Sequence, residues 1–473
     1  MPSQSDPSAD DAGHAAWLKA AMRSLKGADI ESLITRTVDG VEVRPLYDSA
    51  PASERLRSAV GWDIRASVRA PSPEAANSLA HEALGGGATS VLLQIGREGP
   101  IRSAADMART LDGVVLEAAP AALDAGLHGP IAAEWLGEAA KGSPAAGMAL
   151  HLDPLGAFAE AGDSPGPIEA HLGRAAETGA SLAATYPQAT LFLASGRAAH
   201  EAGGSPALEL GMMAAAAVAY ARAMGEAGMA PGAALERIVL SVAVDQQVLE
   251  SIAKLRAARR IWARIAAAFG SAASARIEAR SSRRMLTAID PWTNLLRLTV
   301  AGFAGAIGGA DALVLGAFTD ALGAPAERAR RLARNTQLIL AEEAHLGRAA
   351  DAMAGAWAVE SMTDQLARQG WSCFQAIERQ GGLAAALTSG FMAAEVAAVQ
   401  AARESAVGEG AQPILGVTRF PDPHPLPVEV EPAPEPPGSL LDGRLPGSDS
   451  HCPPLRFYRV SATAEQVVQD LDP

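Results

Sequence analysis

The residues of this chain whose types and spacing suit acid–base or metal chemistry fall into three short groups. His200 and Glu201 stand side by side in the segment Ser195-Gly196-Arg197-Ala198-Ala199-His200-Glu201-Ala202-Gly203-Gly204, just after an apolar run. An imidazole and a carboxylate there are the types that a general base and acid require. Neighbours on one loop need not face each other, so a solvated loop is the plainer expectation. Glu342 and His345 lie three apart in a helical pattern, AEEAHLGR. Di-metal bundles use that spacing twice, with further carboxylates; no second copy exists here, which leaves a surface or interface histidine. Asp422-Pro423-His424 sits in a Pro-rich stretch, a poor place for rigid ligands, and reads as a solvated loop. The two cysteines, Cys373 and Cys452, cannot make a disulfide framework or a four-thiolate zinc site, and their scarcity fits a reducing compartment.

The elements that must position these residues follow a repeating pattern. From about Gly85, an apolar run bounded by glycine or alanine alternates with an amphipathic or Ala-rich helix. The runs are 89–96 (TSVLLQIG), 113–117 (GVVLE), 147–152 (GMALHL), 189–195 (ATLFLAS), 237–244 (RIVLSVAV), 275–279 (ARIEA) and 311–316 (DALVLG). Continuous apolar runs suit strands buried on both faces, and intervening helices make the sheet parallel. Seven candidates are legible, and the stretch 119–135 is the place for an eighth. Eight such units close a (β/α)8 barrel. The rival, an open doubly wound sheet, lacks its glycine-rich phosphate fingerprint after the first strand. Long helices follow, at 326–341 running towards Arg348 and at 359–378. Residues 421–437 (PDPHPLPVEVEPAPEPP) form an acidic Pro-rich tract expected to run extended on the surface.

Composition narrows the function classes. Across 473 residues, 53 acidic side chains against 39 basic ones give a formal charge of -14, the reverse of a nucleic-acid footprint. Much of the apolar content is alanine, which favours helices. No apolar run reaches the roughly 18 residues of a membrane span; the nearest, 210–221, is short and flanked by Glu209 and Arg222. Residues 1–13 are polar and acidic, unlike a secretory or transit leader, and are expected to be unstructured. A helix is expected from about Ala15, carrying Trp17, Leu18, Met22 and Leu25. A soluble cytoplasmic protein that binds neither nucleic acid nor membrane is the expectation.

Longer segments resemble the methylmalonyl-CoA mutase family. They are SIAKLRAARRIWARI (251–265), DPWTNLLRLTVAGFAGAIGGAD (290–311), ARNTQLILAEEAHLGRAADAMAGAWAVESMTDQLA (333–367), GVEVRPLYD (40–48) and ILGVTRFP (414–421), in family order along nearly the whole chain. Without that resemblance, the helix after Ser251 is merely amphipathic, with Ile252, Leu255, Ile261, Trp262 and Ile265 packed and Lys254 and Arg259 in solvent. The resemblance implies a (β/α)8 TIM-type barrel with an N-terminal arm, closing helices and a Pro-rich tail. It also implies radical rearrangement of acyl-CoA skeletons on adenosylcobalamin held by a further domain. The implied layout is an unstructured 1–13, a dimerising arm at 14–60, the barrel with closing helices at 61–410, and a tail at 411–473 without a cobalamin domain.

Departures from the family pattern point to its small, non-catalytic subunit. Active chains carry a Tyr–His pair in a segment like SGYHMQEAGA; the matching positions here hold Arg197 and Ala198, with His200 where they have Gln. The cobalamin motif DxHxxG is matched only by Asp422-Pro423-His424, with Pro427 in place of the glycine. The stretch 147–156 (GMALHLDPLG), which includes Asp153, lacks the Gln, Asn and Arg of active members. The stretch 60–68 (VGWDIRASV) keeps Trp62 and Arg65 but lacks the catalytic Tyr, and 313–320 (LVLGAFTD) replaces a polar run. No residue is expected to be catalytic, to bind a cofactor or to hold a metal; Arg65, Asp153, Arg197, Ala198 and His200 are expected as vestigial substrate-pocket positions. Adenosylcobalamin then belongs to the complex through a large-subunit partner in a heterodimer. The alternatives are an active acyl-CoA mutase barrel using a separate cobalamin-binding subunit, and a remnant without a partner.

Overall fold

The computed structural model describes residues 7–47, 56–57, 59–95, 100–422, 424–431 and 443–471. Eight parallel strands close into a barrel in sequence order: β1 (Asp63–Val68), β2 (Ser90–Gln94), β3 (Ala121–Asp124), β4 (Ala149–Leu152), β5 (Thr190–Ser195), β6 (Ile238–Val244), β7 (Ile277–Ser281) and β8 (Ala312–Val314), which returns to β1. The barrel expected from the sequence is therefore present. Two strands differ from expectation. Residues 113–117 form no strand: Val115 faces solvent, Val114 packs partly against the core and Leu116 is buried, and the third strand starts beyond Pro120. The first strand, DIRASV, carries two charges that hide it from a search for apolar runs.

Several helices begin at capping residues, and Asp153 directly follows its strand. Following the N-terminal α1 (Pro7–Ser24) come α2 (Pro73–Gly85), α3 (Ala104–Thr110), α4 (Gly129–Ala139), α5 (Pro154–Ala161), α6 (Ile168–Thr185), α7 (Arg197–Glu201), α8 (Pro206–Glu226), α9 (Pro231–Leu235), α10 (Val248–Ala268), α11 (Thr293–Ile307), α12 (Glu327–Leu338) and α13 (Trp357–Arg379). Ser72, Ser103, Asp153 and Ser205 each accept a hydrogen bond from a backbone N–H of the first turn, and Pro follows at the start of α2, α5 and α8. Side-chain acceptors satisfy N–H groups that the helix leaves open, and Pro lacks one to satisfy. Helix α8 is long and apolar enough to cross a membrane, and it is buried inside the fold.

Other expectations change at the edges of the barrel. Residues 7–13 are helical, as the first turns of α1, where the composition suggested disorder. Within α10, Lys254 and Arg259 are only 2 % and 6 % exposed, not solvated, because each meets a carboxylate inside the fold. The helix expected at 326–341 breaks into a π turn, Ile339–Glu343, and ends where His345 takes a left-handed backbone (φ 56°) at the exposed surface. Of the Pro-rich tract, residues 421–422 and 424–427 are exposed, and Val430–Glu431 pairs with Ala324–Pro325. Pro423 and residues 432–437 of that tract lie outside the described residues. Beyond it, residues 450–461 lie along the ends of α5 and α7: Cys452, Leu455 and Tyr458 donate their N–H groups to the carbonyls of Gly162, Ala159 and Glu201.

Candidate functional site

Alternation along the strands sends every second side chain to the barrel axis. Ile277 and Ala279 of β7 pack outward in the main core, so Glu278 and Arg280 point inward. Leu92, Ala122, Ala149 and Val314 form a separate small apolar cluster on that inner side. A chain of ion pairs crosses the axis beside it. The buried Glu278 carboxylate accepts from Arg65 Nη1 at 2.5 Å and Arg280 Nε at 2.7 Å. Arg65 continues to Asp63 at 2.7 Å and Ser90 Oγ at 3.0 Å; Arg280 reaches Asp124 at 2.6 Å. His151, held at φ 47° where β4 shifts register against β5, bonds Leu123 O at 3.1 Å and places Nε2 3.7 Å from Glu278. Burial opposes the Glu278 charge, but Arg280, His151 and Arg65 outweigh it and hold the carboxyl well below its ordinary range. Burial pushes the His151 imidazole down to about 4, so it is neutral near pH 7.

A second network joins the C-terminal ends of the strands. His200 Nδ1 lies 3.1 Å from Glu209 and its Nε2 2.8 Å from Ser282 Oγ; Lys254 Nζ lies 2.5 Å from Glu209. Serine, histidine and carboxylate in that order are the connectivity of a hydrolase triad. Here Ser282 and His200 are fully buried, and Glu209 also accepts the Ala243 N–H at 2.5 Å. The group therefore ties α7, α8 and α10 to β6 and the turn after β7. Burial and then Arg284 push His200 down to about 4, so it carries no charge at neutral pH. Burial works against Glu209 ionising, but Lys254 and His200 overcome it and hold that carboxyl well below its ordinary range. Glu201 caps the turn after β7, accepting the N–H groups of Arg283 and Arg284 at 3.1 Å each.

The five positions singled out in the sequence are not gathered into one constellation. Arg65 lies in the axial ion-pair chain, and Ala198 is packed in the core. His200 is in the buried network, not the solvated loop expected, and Glu201 is buried beside it. Asp153 caps α5 through the Gly156 N–H at 3.1 Å and accepts from the Tyr220 hydroxyl; burial pushes its carboxyl up to about 7. Arg197 opens α7, its N–H on Ser195 Oγ at 3.2 Å, and its Nε is buried without a partner. Sequence reasoning missed Glu278, Arg280 and Asp124. Their signal was present: charges two apart on a strand buried on both faces must meet inside the barrel. Glu209 and Ser282 carried no local signal.

The residues also speak to cobalamin. Asp422 Oδ1 accepts the backbone N–H of His424 at 2.9 Å, and both residues are exposed in the Pro-rich loop. An aspartate spent on the backbone does not orient an imidazole toward cobalt, so this pair does not fit a cobalt ligand. Among the described residues, no group of three or more His, Cys, Asp and Glu side chains could hold a metal ion.

Comparison with known proteins gives concordant results. Residues 88–435 match the family model described as methylmalonyl-CoA mutase. The chain is 38 % identical over 465 residues to the methylmalonyl-CoA mutase small subunit of Streptomyces virginiae, covering 91 % of this chain and 74 % of that one. It is 31 % identical to the small subunit from Propionibacterium freudenreichii subsp. shermanii, covering 86 % of this chain and 67 % of the relative. The methylmalonyl-CoA mutase of Cereibacter sphaeroides is 28 % identical, over 86 % of this chain and 64 % of its own. This chain thus spans about two thirds to three quarters of the length of these relatives.

Proposed function

Because this chain belongs to the methylmalonyl-CoA mutase family, we propose that it serves as the small, non-catalytic subunit of a heterodimeric mutase. The adenosylcobalamin-dependent exchange of methylmalonyl-CoA and succinyl-CoA then takes place on a large subunit, in a reducing, cytoplasmic setting that suits two free cysteines. Carrying this reading is the state of the barrel axis. An acyl-CoA threaded along it would meet the Arg65–Glu278–Arg280–Asp124 chain, and breaking such a chain leaves unpaired charges behind. At the C-terminal end, where barrels carry their chemistry, Arg197 and Ala198 occupy the positions of the family's Tyr–His pair.

Surfaces for the partner come from the N-terminal arm. Its hairpin, Thr35–Arg36 paired antiparallel with Glu42–Val43, is tied to its own barrel: Val41 is buried, Asp39 accepts the Ala207 N–H at 2.9 Å, and Gln369 donates to Asp39 O at 2.8 Å. Helix α1, in contrast, has no buried residue among its described side chains, and Met22 is 56 % exposed. An isolated helix of this length is marginal in water, so the Trp17, Leu18 and Met22 flank is assigned to the large subunit. The test is co-expression with a family large subunit. A stable one-to-one complex in which the large subunit alone accounts for turnover is expected. Failure to co-purify overturns the subunit reading, and turnover by this chain with only an isolated cobalamin-binding subunit would establish the active-barrel alternative.

A further inference from the structure

We propose that the outer face of α11 is a docking surface for the large subunit, through an apolar stripe of Leu296, Val300, Phe303 and Ile307 that this chain leaves open. The inference rests on the subunit reading above and names a surface on which that subunit sits. The spacing i, i+4, i+7 and i+11 puts the four side chains on one side of the helix. Leu296 and Val300 expose 65 % and 37 % of their surface, and Phe303 and Ile307 are half-buried. The barrel side of α11 is filled instead by Leu298, Ala301 and Ala304.

A helix that faces water on one side carries polar residues there. Helices α2, α4 and α6 do so, with Glu74, Glu134 and Arg174 in solvent. Helix α11 does not. Its one charged residue, Arg297, is buried and donates to Thr287 Oγ1, Asn294 Oδ1 and Leu415 O. The outer face therefore holds no charge, and Thr299 is the exposed polar residue within it. The apolar surface also continues past the helix. Phe303 and Ile307 pack with Val248 of α10 and Met353 around Ile252, Ala304 and Val359, a cluster separate from the main core. The π turn abuts α11 as well: a Cβ on Gly302 would stand 3.3 Å from Leu340, and Ile339, next in the chain, is 50 % exposed.

Together these side chains leave on the order of 300 Å² of apolar surface open, the size at which a patch on a monomer marks a binding face. A stable interface buries about 800 Å² per partner, so the stripe supplies a core for one, and the flank of α1 adds to it. Charge decides between a second copy and a different chain. Each copy carries a formal charge of -14, and Glu342 and Glu343 stand exposed in the π turn. A two-fold contact between copies would set one net-acidic surface against another. A different chain, with an apolar face and basic residues opposite those glutamates, meets no such penalty. In the subunit reading, that chain is the large subunit.

The test is sedimentation velocity on the full chain, alone and mixed with a family large subunit, for the unchanged protein and for Val300→Glu. A one-to-one complex is expected for the unchanged chain, with Val300→Glu raising its dissociation constant at least tenfold and leaving the melting temperature of the isolated chain unchanged. Thr299→Glu replaces a side chain that is already polar and exposed, and it gives the same reading if Val300→Glu does not fold. A complex that both folded variants form as tightly as the unchanged chain would overturn this surface while leaving the subunit reading intact. No complex with the unchanged chain would overturn the subunit reading and this occupant with it. A homodimer of the isolated chain that Val300→Glu splits would give the face to a second copy and overturn the proposal.

Discussion

At the first turn of α5, the Asp153 carboxyl holds a cap and a tyrosine hydroxyl, yet burial lifts its pKa from about 4 to about 7. A folded value above the unfolded one means that the fold prefers the neutral acid. Its contribution to stability is complete below about pH 3.8 and is lost as the pH rises through about 7. Asparagine keeps the cap and an acceptor for Tyr220 without a charge to desolvate. Asp153→Asn is therefore expected to stabilise the chain by about 1–2 kcal/mol at pH 8, after allowance for water reaching this half-buried group, and to be neutral at pH 4. Urea denaturation at the two pH values checks this; equal effects at both would refute it. At this scale the sequence showed that His200 and Glu201 are of types suited to acid–base chemistry. It did not show that His200 meets Glu209 and Ser282, because those partners come from other elements and only the closed barrel brings them together.

Helices α8, α10 and α13 show how a chain poor in aromatics builds a dense layer. A Cβ on Gly211 of α8 would come within 2.6 Å of Cys373 Cβ, and one on Gly370 of α13 within 2.7 Å of Leu210 Cβ. Small residues at both sides let the two backbones approach closely, and neither helix can yield without disturbing the barrel. Gly211→Ala is expected to destabilise the chain by about 1–3 kcal/mol through overpacking, despite alanine's better helix propensity. A lowered denaturation midpoint is the measurement, and an unchanged or raised one would contradict it. Most barrel strands were legible as continuous apolar runs because both faces of such strands are covered. The first was not, since Asp63 and Arg65 of DIRASV serve the axis. The run 113–117 misled for the opposite reason: it is apolar, but it forms an irregular segment before Pro120 in which only Leu116 is fully buried.

The whole molecule combines a closed barrel with an arm whose two parts behave differently. The hairpin belongs to the chain's own fold, while α1 buries none of its described side chains. Deleting residues 7–24 is accordingly expected to leave the melting temperature of the isolated chain within about 2 °C and to weaken co-purification with the large subunit at least tenfold. A melting temperature lowered by 5 °C or more would place α1 in this chain's own stability instead. The sequence by itself determined the barrel class and the family, because residue order and apolar patterning are local properties. Only the tertiary structure decided that Arg65, Glu278, Arg280 and Asp124 join across the axis and that Lys254 is buried on Glu209. Closing eight strands brings residues far apart in sequence to within a hydrogen bond of one another, and the energy of a charge depends on which neighbours that closure supplies.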